Sequence, residues 1–214
     1  MWNKVEKFEK SIADYAGSKY AIAMDSCTNA IFIAALWNKK IKPFETYNNI
    51  AELPKQTYIS VPQSLCHAGY KLKFIDLKWK GYYPIESLDI VDSACRFIEN
   101  MYFSDTYYCL SFQHRKTIST VRGGMILTDS KDAFEWFKYM SYDGRNLRKG
   151  YMVDDFALIG YHMYMTPEDA ARGIIIMDSV PEENKDTGDS TTYSDLSEKE
   201  VFKPYLEKEM GFKI

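Results

Sequence analysis

No apolar run in this sequence approaches the roughly 20 residues that a membrane-spanning helix needs, so no membrane-spanning helix is expected within it. The opening stretch MWNKVEKFEKSIADY has neither an apolar core nor a small-residue cleavage site and does not read as a signal peptide. An excess of one charge is missing too. Lys and Arg number 27 against 30 Asp and Glu, a formal net charge of -3 with no dominant basic block, which argues against a nucleic-acid partner and for a small substrate. The four cysteines, Cys27, Cys66, Cys95 and Cys109, show no CxxC pairing, so they read as buried thiols rather than bridges or metal ligands, and they fit a reducing cytosol. No internal repeat is visible. What is abundant is aromatic: 15% of the chain, with 17 tyrosines, which points to aromatic-lined grooves or a tyrosine-rich subunit interface. At 214 residues the chain suffices for one sizeable α/β domain with an appendage.

Val5, Phe8, Ile12 and Tyr15 recur at helical spacing up to Gly17. Residues 20–24 then read as a short buried strand, 25–28 as a polar turn and 29–37 as an apolar helix. Residues 38–53, with Pro43, read as a charged loop; 56–61 and 71–76 read as strands with a helical segment between them. A short apolar stretch ends at Asp92, and 107–112 and 124–128 look like a strand pair around a polar loop. Helices are expected over 133–140 and 167–177, the second started by Thr166 as N-cap with Pro167 at the first helical position. Residues 181–197 read as an exposed loop and 198–210 as a last amphipathic helix. Strands alternating with helices predict a mostly parallel sheet.

In such sheets ligands bind beyond the carboxyl ends of strands. The turn Ser26-Cys27-Thr28 at a helix N-terminus offers N–H groups, hydroxyls and the helix dipole to a phosphate monoester; its simpler reading is an ordinary helix cap. Asp92, at a strand end, is able to keep a pyridine nitrogen protonated, or to serve as an N-cap. Lys116, in a loop between two strands, has the amine for a Schiff base, although a lone loop lysine is ordinarily solvated surface. No single position decides between these readings.

The pattern as a whole resembles the DegT/DnrJ/StrS sugar aminotransferases, pyridoxal-phosphate (PLP) enzymes of fold type I, from about Phe8 to Met177. Ile12-Ala13-Asp14-Tyr15-Ala16-Gly17-Ser18-Lys19-Tyr20-Ala21 is similar to the family's first helix and strand. Ser26-Cys27-Thr28-Asn29-Ala30-Ile31 matches its Ser-Gly-Thr-x-Ala-Leu phosphate turn with Cys for Gly. Pro54 with Thr57-Tyr58 matches Pro-x-x-Thr-aromatic, with Gly69 at the family's spacing, and Phe74-Ile75-Asp76 matches the next strand. Asp92-Ser93-Ala94 resembles Asp-x-Ala. The most specific stretch is Ser111-Phe112-Gln113-His114-Arg115-Lys116 followed by Gly123-Gly124, similar to Ser-Phe-x-x-x-Lys and Gly-Gly. Gly160 to Met165 resembles the segment that lends an Asn to the partner subunit's site, with His162 in that place.

The resemblance implies an α/β fold, a mostly parallel mixed sheet with helices on both faces. Residues 1–178 would form the PLP-binding large domain, and 179–214 a reduced C-terminal segment, a truncated small domain. It implies PLP on Lys116 by a Schiff base, its pyridine nitrogen at Asp92, its ring stacked on Tyr58, and its phosphate held by Ser26, Cys27, Thr28 and Ser111. The activity implied is transfer of an amino group from an amino acid, by analogy glutamate, to a keto nucleotide sugar in a cytoplasmic homodimer whose shared active site includes His162. Lysine at position 116 favours transamination over the family's dehydratase branch, which carries histidine there. Two departures stand out: Cys95 replaces the Gln or His that many relatives have three residues after the aspartate, and a strand-helix unit expected between Ile85 and Asp89 is absent. They motivate the competing readings, a family relative that binds PLP or a sugar nucleotide without catalysis, or a PLP-dependent dehydratase or isomerase. Arg115, Arg122 and Arg145 are general candidates for a diphosphate.

Overall fold

The computed structural model describes residues 2–42 and 49–207. Five strands form the main sheet: β1 (Tyr20–Met24), β4 (Tyr83–Ile85), β5 (Ile90–Asp92), β6 (Tyr107–Ser111) and β7 (Gly124–Thr128), in the order β1-β7-β6-β5-β4. A separate parallel pair is made by β2 (Ile50–Pro54) and β3 (Lys71–Ile75). The helices are α1 (Asn3–Ala16), α2 (Cys27–Ile41), α3 (Ser60–His67), α4 (Lys131–Ser141) and α5 (Pro167–Met177).

Alternation along each strand sorts the core onto two faces. Ile22, Met24, Ile90, Tyr107, Cys109 and Ile126 point to one face and pack with α2, α3 and α4. Their neighbours Ala21, Ala23, Val91, Tyr108, Leu110, Met125 and Leu127 point to the other, against Phe8 and Ile12 of α1 and Ala170 of α5. Burial on both faces explains why these strands read as continuous apolar runs. Trp37 of α2 ties its face to the sheet with an indole N–H donated to the Tyr107 hydroxyl at 2.6 Å.

The α/β architecture with a mixed sheet and helices on both faces is the expected one. The balance of pairing differs: within the main sheet only β5 and β6 run parallel, while β1–β7, β6–β7 and β4–β5 are antiparallel. For β4 and β5 the reason is local, because they are joined by a single 3₁₀ turn, Glu86–Leu88, too short for a parallel crossover; the other two antiparallel pairs both involve β7.

Three element assignments are corrected. The strand expected over 56–61 lies instead at β2, inside the supposed loop 38–53. Ala51 and Leu53 alternate into the core there, and α2 runs on to Ile41. Residues 43–48, with Pro43, lie outside the described residues. Ser60 and Val61 begin α3, whose first turn tolerates Pro62 because those N–H groups have no helical acceptor. The helix expected over 198–210 is a 3₁₀ stretch, Glu200–Tyr205, interrupted by Pro204, with 208–210 outside the described residues. The supposed loop 181–197 has Ser190 and Leu196 buried, because it packs across the sheet's carboxyl edge.

Candidate active site

Since β1 and β6 are both antiparallel to β7, and β5 is parallel to β6, the carboxyl ends of β1, β5 and β6 emerge at one edge. Met24 therefore leads into the Ser26 turn, Asp92 ends its strand, and Ser111 opens the loop carrying Lys116, all at that edge.

Asp92 is 5% exposed. Its Oδ2 accepts the Tyr83 hydroxyl at 2.6 Å and its Oδ1 accepts the Ala94 N–H at 3.0 Å. Tyr83 faces Asp92 across the β4–β5 pair, and its oxygen lies 2.5 Å from the Thr57 hydroxyl, making a chain Thr57–Tyr83–Asp92. Burial holds the Asp92 carboxyl above the usual carboxylate range, opposed by the Tyr83 and Ala94 bonds and by the charge of Lys116. The amine of Lys116 donates to the Cys95 thiol at 3.3 Å, placing it beside the strand-end aspartate rather than in solvent.

The loop bearing Lys116 is fastened at its neck. Phe112 donates its N–H to Gly123 O at 2.9 Å and accepts from Thr120 N–H at 3.1 Å, while Lys116 N–H closes a turn on Gln113 O at 2.9 Å. Ser111, at the exit of β6, lines with Lys116 and Thr187 a cavity of about 10 Å³.

Ser26 is the N-cap of α2, its hydroxyl accepting from Asn29 N–H at 3.2 Å and donating to Asp25 at 3.1 Å. The first-turn N–H groups of Cys27 and Thr28 have no intrahelical acceptor and face the same edge. Thr28 Oγ1 lies 2.6 Å from the Ser60 hydroxyl at the head of α3, so two helix starts contribute hydroxyls here. Cys27 is buried; burial, with the nearby Asp92 carboxylate, pushes its thiol far up, so it packs as a neutral side chain. Gly124 is required by contact: a Cβ there would overlap the backbone of Ser26 and Cys27.

Of the residues singled out in the sequence, Asp92, Lys116, Ser111, Ser26, Cys27 and Thr28 come together. Tyr58 is 57% exposed at the rim, its ring edge-on to Tyr193 at 6.4 Å. His162 stands apart in this chain. Its Nδ1 pairs with Asp143 at 2.8 Å and its ring packs on Tyr164, with the side chain 71% exposed. Arg122 pairs with Asp25 at 3.0 Å beside the α2 turn. Arg145 lies over the rings of Tyr142 and Tyr151, and Arg115 is exposed. Sequence reasoning missed Tyr83, Ser60, Thr187 and Tyr193; the β4–β5 register brings Tyr83 here, the packing of α3 on α2 brings Ser60, and the crossing of 181–197 brings Thr187 and Tyr193.

A model of the DegT/DnrJ/EryC1/StrS aminotransferase family matches residues 1–89 and 103–197. The chain belongs to this family. Among DegT relatives, the spore coat polysaccharide biosynthesis protein SpsC of Bacillus subtilis is 23% identical over 80% of this chain and 55% of its own length. The UDP-4-amino-4,6-dideoxy-N-acetyl-beta-L-altrosamine transaminase of Campylobacter jejuni is 20% identical over 80% of this chain and 55% of its own. The solved structure of Helicobacter pylori PseC, an aminotransferase involved in pseudoaminic acid biosynthesis, shares the fold with a TM-score of 0.65 at 17% identity, over 82% of this chain and 57% of that one. This chain thus spans little more than half the length of these DegT relatives.

Proposed function

We propose that this chain is a PLP-dependent aminotransferase that moves an amino group from an amino acid, glutamate by family resemblance, to the keto group of a nucleotide sugar. The carrying observation is the convergence, at one sheet edge, of the Lys116 amine, the buried Asp92 carboxylate and the hydroxylated start of α2. The donor set fits the cofactor: a primary amine for an aldehyde, a carboxylate for a ring nitrogen, and hydroxyls with free N–H groups for a phosphate.

When bound, PLP supplies an electrophilic aldehyde and an electron sink. Asp92, held by Tyr83 and Ala94, keeps a ring nitrogen protonated. Ser26, Cys27 and Thr28, with Ser111 and the Ser60 hydroxyl, would hold the phosphate, and Tyr58 is the residue that would stack on the ring. The Lys116 amine is the group that would bind the cofactor's aldehyde, and as a free base it would move a proton at the substrate's α-carbon. We further read the enzyme as a cytoplasmic homodimer, with His162 exposed to serve the partner's site. The four free thiols support a reducing compartment.

The test is titration of the purified protein with PLP. A visible absorbance band is expected that Lys116→Ala abolishes, with borohydride fixing PLP mass on the Lys116 peptide. A protein that stays colourless and unlabelled refutes the assignment. Amino transfer from glutamate to keto nucleotide sugars then tests the reaction itself, and binding without transfer would favour the non-catalytic relative.

A further inference from the structure

The segment after α5 does not hang free; it crosses the mouth of the candidate site. Glu182 O accepts Glu99 N–H at 3.1 Å. Asp186 then takes Arg96 in a two-point pair, Nε to Oδ1 at 2.9 Å and Nη2 to Oδ2 at 2.7 Å. Thr187 N–H donates to Cys95 O at 2.8 Å, Gly188 O accepts Gly81 N–H at 3.0 Å, and Ser190 N–H donates to Trp79 O at 3.0 Å. This course puts Thr187 on the wall of the 10 Å³ cavity beside Lys116. It sets the Tyr193 ring between Trp79, stacked at 5.7 Å, and Tyr58. The Tyr193 phenol lies near Cys95 and Asp92, and burial, with these neighbours, raises its pKa.

A cavity of that size holds about one water, whereas sites for small organic ligands run to hundreds of cubic ångströms. The chemical groups for an aromatic phosphate are assembled, yet the space between Tyr58, Cys95 and Asp92 contains a tyrosine of the same chain. The covering segment is built to move. Of residues 182–193 only Ser190 is buried, and the hold consists of one ion pair, backbone bonds, ring contacts and a few side-chain hydrogen bonds, among them Tyr15 hydroxyl to Glu182 O at 3.1 Å, Thr187 Oγ1 to Cys95 O at 3.3 Å and Gln56 Nε2 to Tyr193 O at 3.2 Å. Such a segment belongs to the low-stability end of local opening.

We propose that residues 186–193 gate the site: the Tyr193 ring and the aromatic cofactor compete for one space, and the cofactor enters only when the segment swings out. This rests on the cofactor reading above. Competition of this kind lowers apparent affinity by the open fraction, so loosening the segment raises affinity without adding a contact. By reciprocity, bound cofactor holds the segment open.

Two variants test this, Tyr193→Ala, which removes the competing ring, and Asp186→Asn, which breaks the Arg96 pair while keeping its shape; circular dichroism establishes that each is folded. The readouts are the PLP concentration giving half the absorbance change, and the rate of tryptic cleavage after the exposed Lys185 with and without PLP. Each variant is expected to reach half-saturation at roughly tenfold lower PLP than the unaltered protein, and PLP is expected to speed cleavage at Lys185. Unchanged or weaker PLP binding in both variants overturns the gate. Slower cleavage with PLP also overturns it, since the segment would then close over the cofactor. If neither the unaltered protein nor either variant takes up PLP, the cofactor reading itself has failed, a result distinguishable from the first two.

Discussion

Gly124→Ala is the sharpest probe of how the candidate site is assembled. The added methyl would overlap Cys27 N and the Ser26 carbonyl carbon and stand 2.5 Å from Ser26 O, about 1 Å inside ordinary contact. Neither side can yield cheaply. Gly124 pairs with Met24 on one flank and Ser111 on the other, while Ser26 is committed to capping α2. Overpacking typically costs about 1–3 kcal/mol, and a clash between two backbones belongs at the upper end. For a chain of this size 1 kcal/mol corresponds to roughly 2–4 °C, so a Tm about 6–12 °C lower is expected by thermal denaturation. The strain falls on the turn assigned to phosphate, so half-saturation by PLP should also rise by about tenfold or more, a loss near 1.4 kcal/mol. Gly150→Ala is the matched control. Its Cβ would meet only Val153 at 3.9 Å, and its φ of -67 suits alanine. There the same chemical change should stabilise by about 0.4–1 kcal/mol through the unfolded chain. A Gly124→Ala protein melting within about 1 °C of the parent would refute the reasoning.

Two further outcomes follow from the geometry. Tyr83→Phe removes a hydrogen bond to a buried carboxylate, a loss of about 1.5–3 kcal/mol, and removes an interaction that lowers the Asp92 pKa. Because the folded Asp92 pKa already lies above its unfolded value near 4, its contribution is fully present below that pH and is lost as pH rises through the folded pKa; urea unfolding across pH 4–8 should show the variant losing stability up to a higher pH, and an identical profile would contradict the assignment. His162→Ala deletes an exposed pair worth about 0–1 kcal/mol, so Tm should hold within about 4 °C while amino transfer falls at least tenfold; undiminished transfer would remove His162 from the site.

Strands β1, β6 and β7 were legible because both faces are buried: Ala21-Ile22-Ala23-Met24 and Met125-Ile126-Leu127 are apolar without interruption, and only strands packed between helices need that, whereas the three-residue β4, with Pro84 in its middle, was not. The caps of α2 and α5 were legible as well, since Ser26 and Thr166 act through neighbours three residues on. β2 was not. Ile50-Ala51-Glu52-Leu53 follows a charged stretch, and its partner β3 begins at Lys71, so its pairing has no short-range signature. In the site, motif resemblance supplied Lys116 and Asp92, whereas Tyr83 gains its role only from an antiparallel register. Tyr193 lies far along the chain from Tyr58 and Trp79, whose rings it meets.

The pair β2–β3 is hydrogen-bonded to no strand of the main sheet, yet it leads to Thr57, Tyr58 and Ser60. What joins the two parts at the site is polar: Thr57 to Tyr83, Ser60 to Thr28, and the stretch after Tyr193. That stretch has its own anchors. Leu196 N–H donates to Lys55 O at 2.8 Å, Asp195 pairs with Lys55 at 3.3 Å, and Glu207 N–H reaches Leu72 O at 2.9 Å. None of these bonds touches Cys95 or the Lys116 cavity. Residues 186–193 can therefore leave the mouth by giving up the Arg96 pair, the bridge of Asp189 to Lys80, their bonds to Cys95, Gly81 and Trp79 and the Tyr193 ring contacts, while 195–207 still binds β2–β3. The division falls beside Tyr193, whose carbonyl is held by Gln56 Nε2 at 3.2 Å, and that makes Tyr193 the hinge-side end of the moving piece. Asp195→Asn, which weakens only the far anchor, should therefore leave the PLP half-saturation of the parent unchanged where Asp186→Asn lowers it; equal effects would mean that the segment moves as one body and that the two sheets part with it.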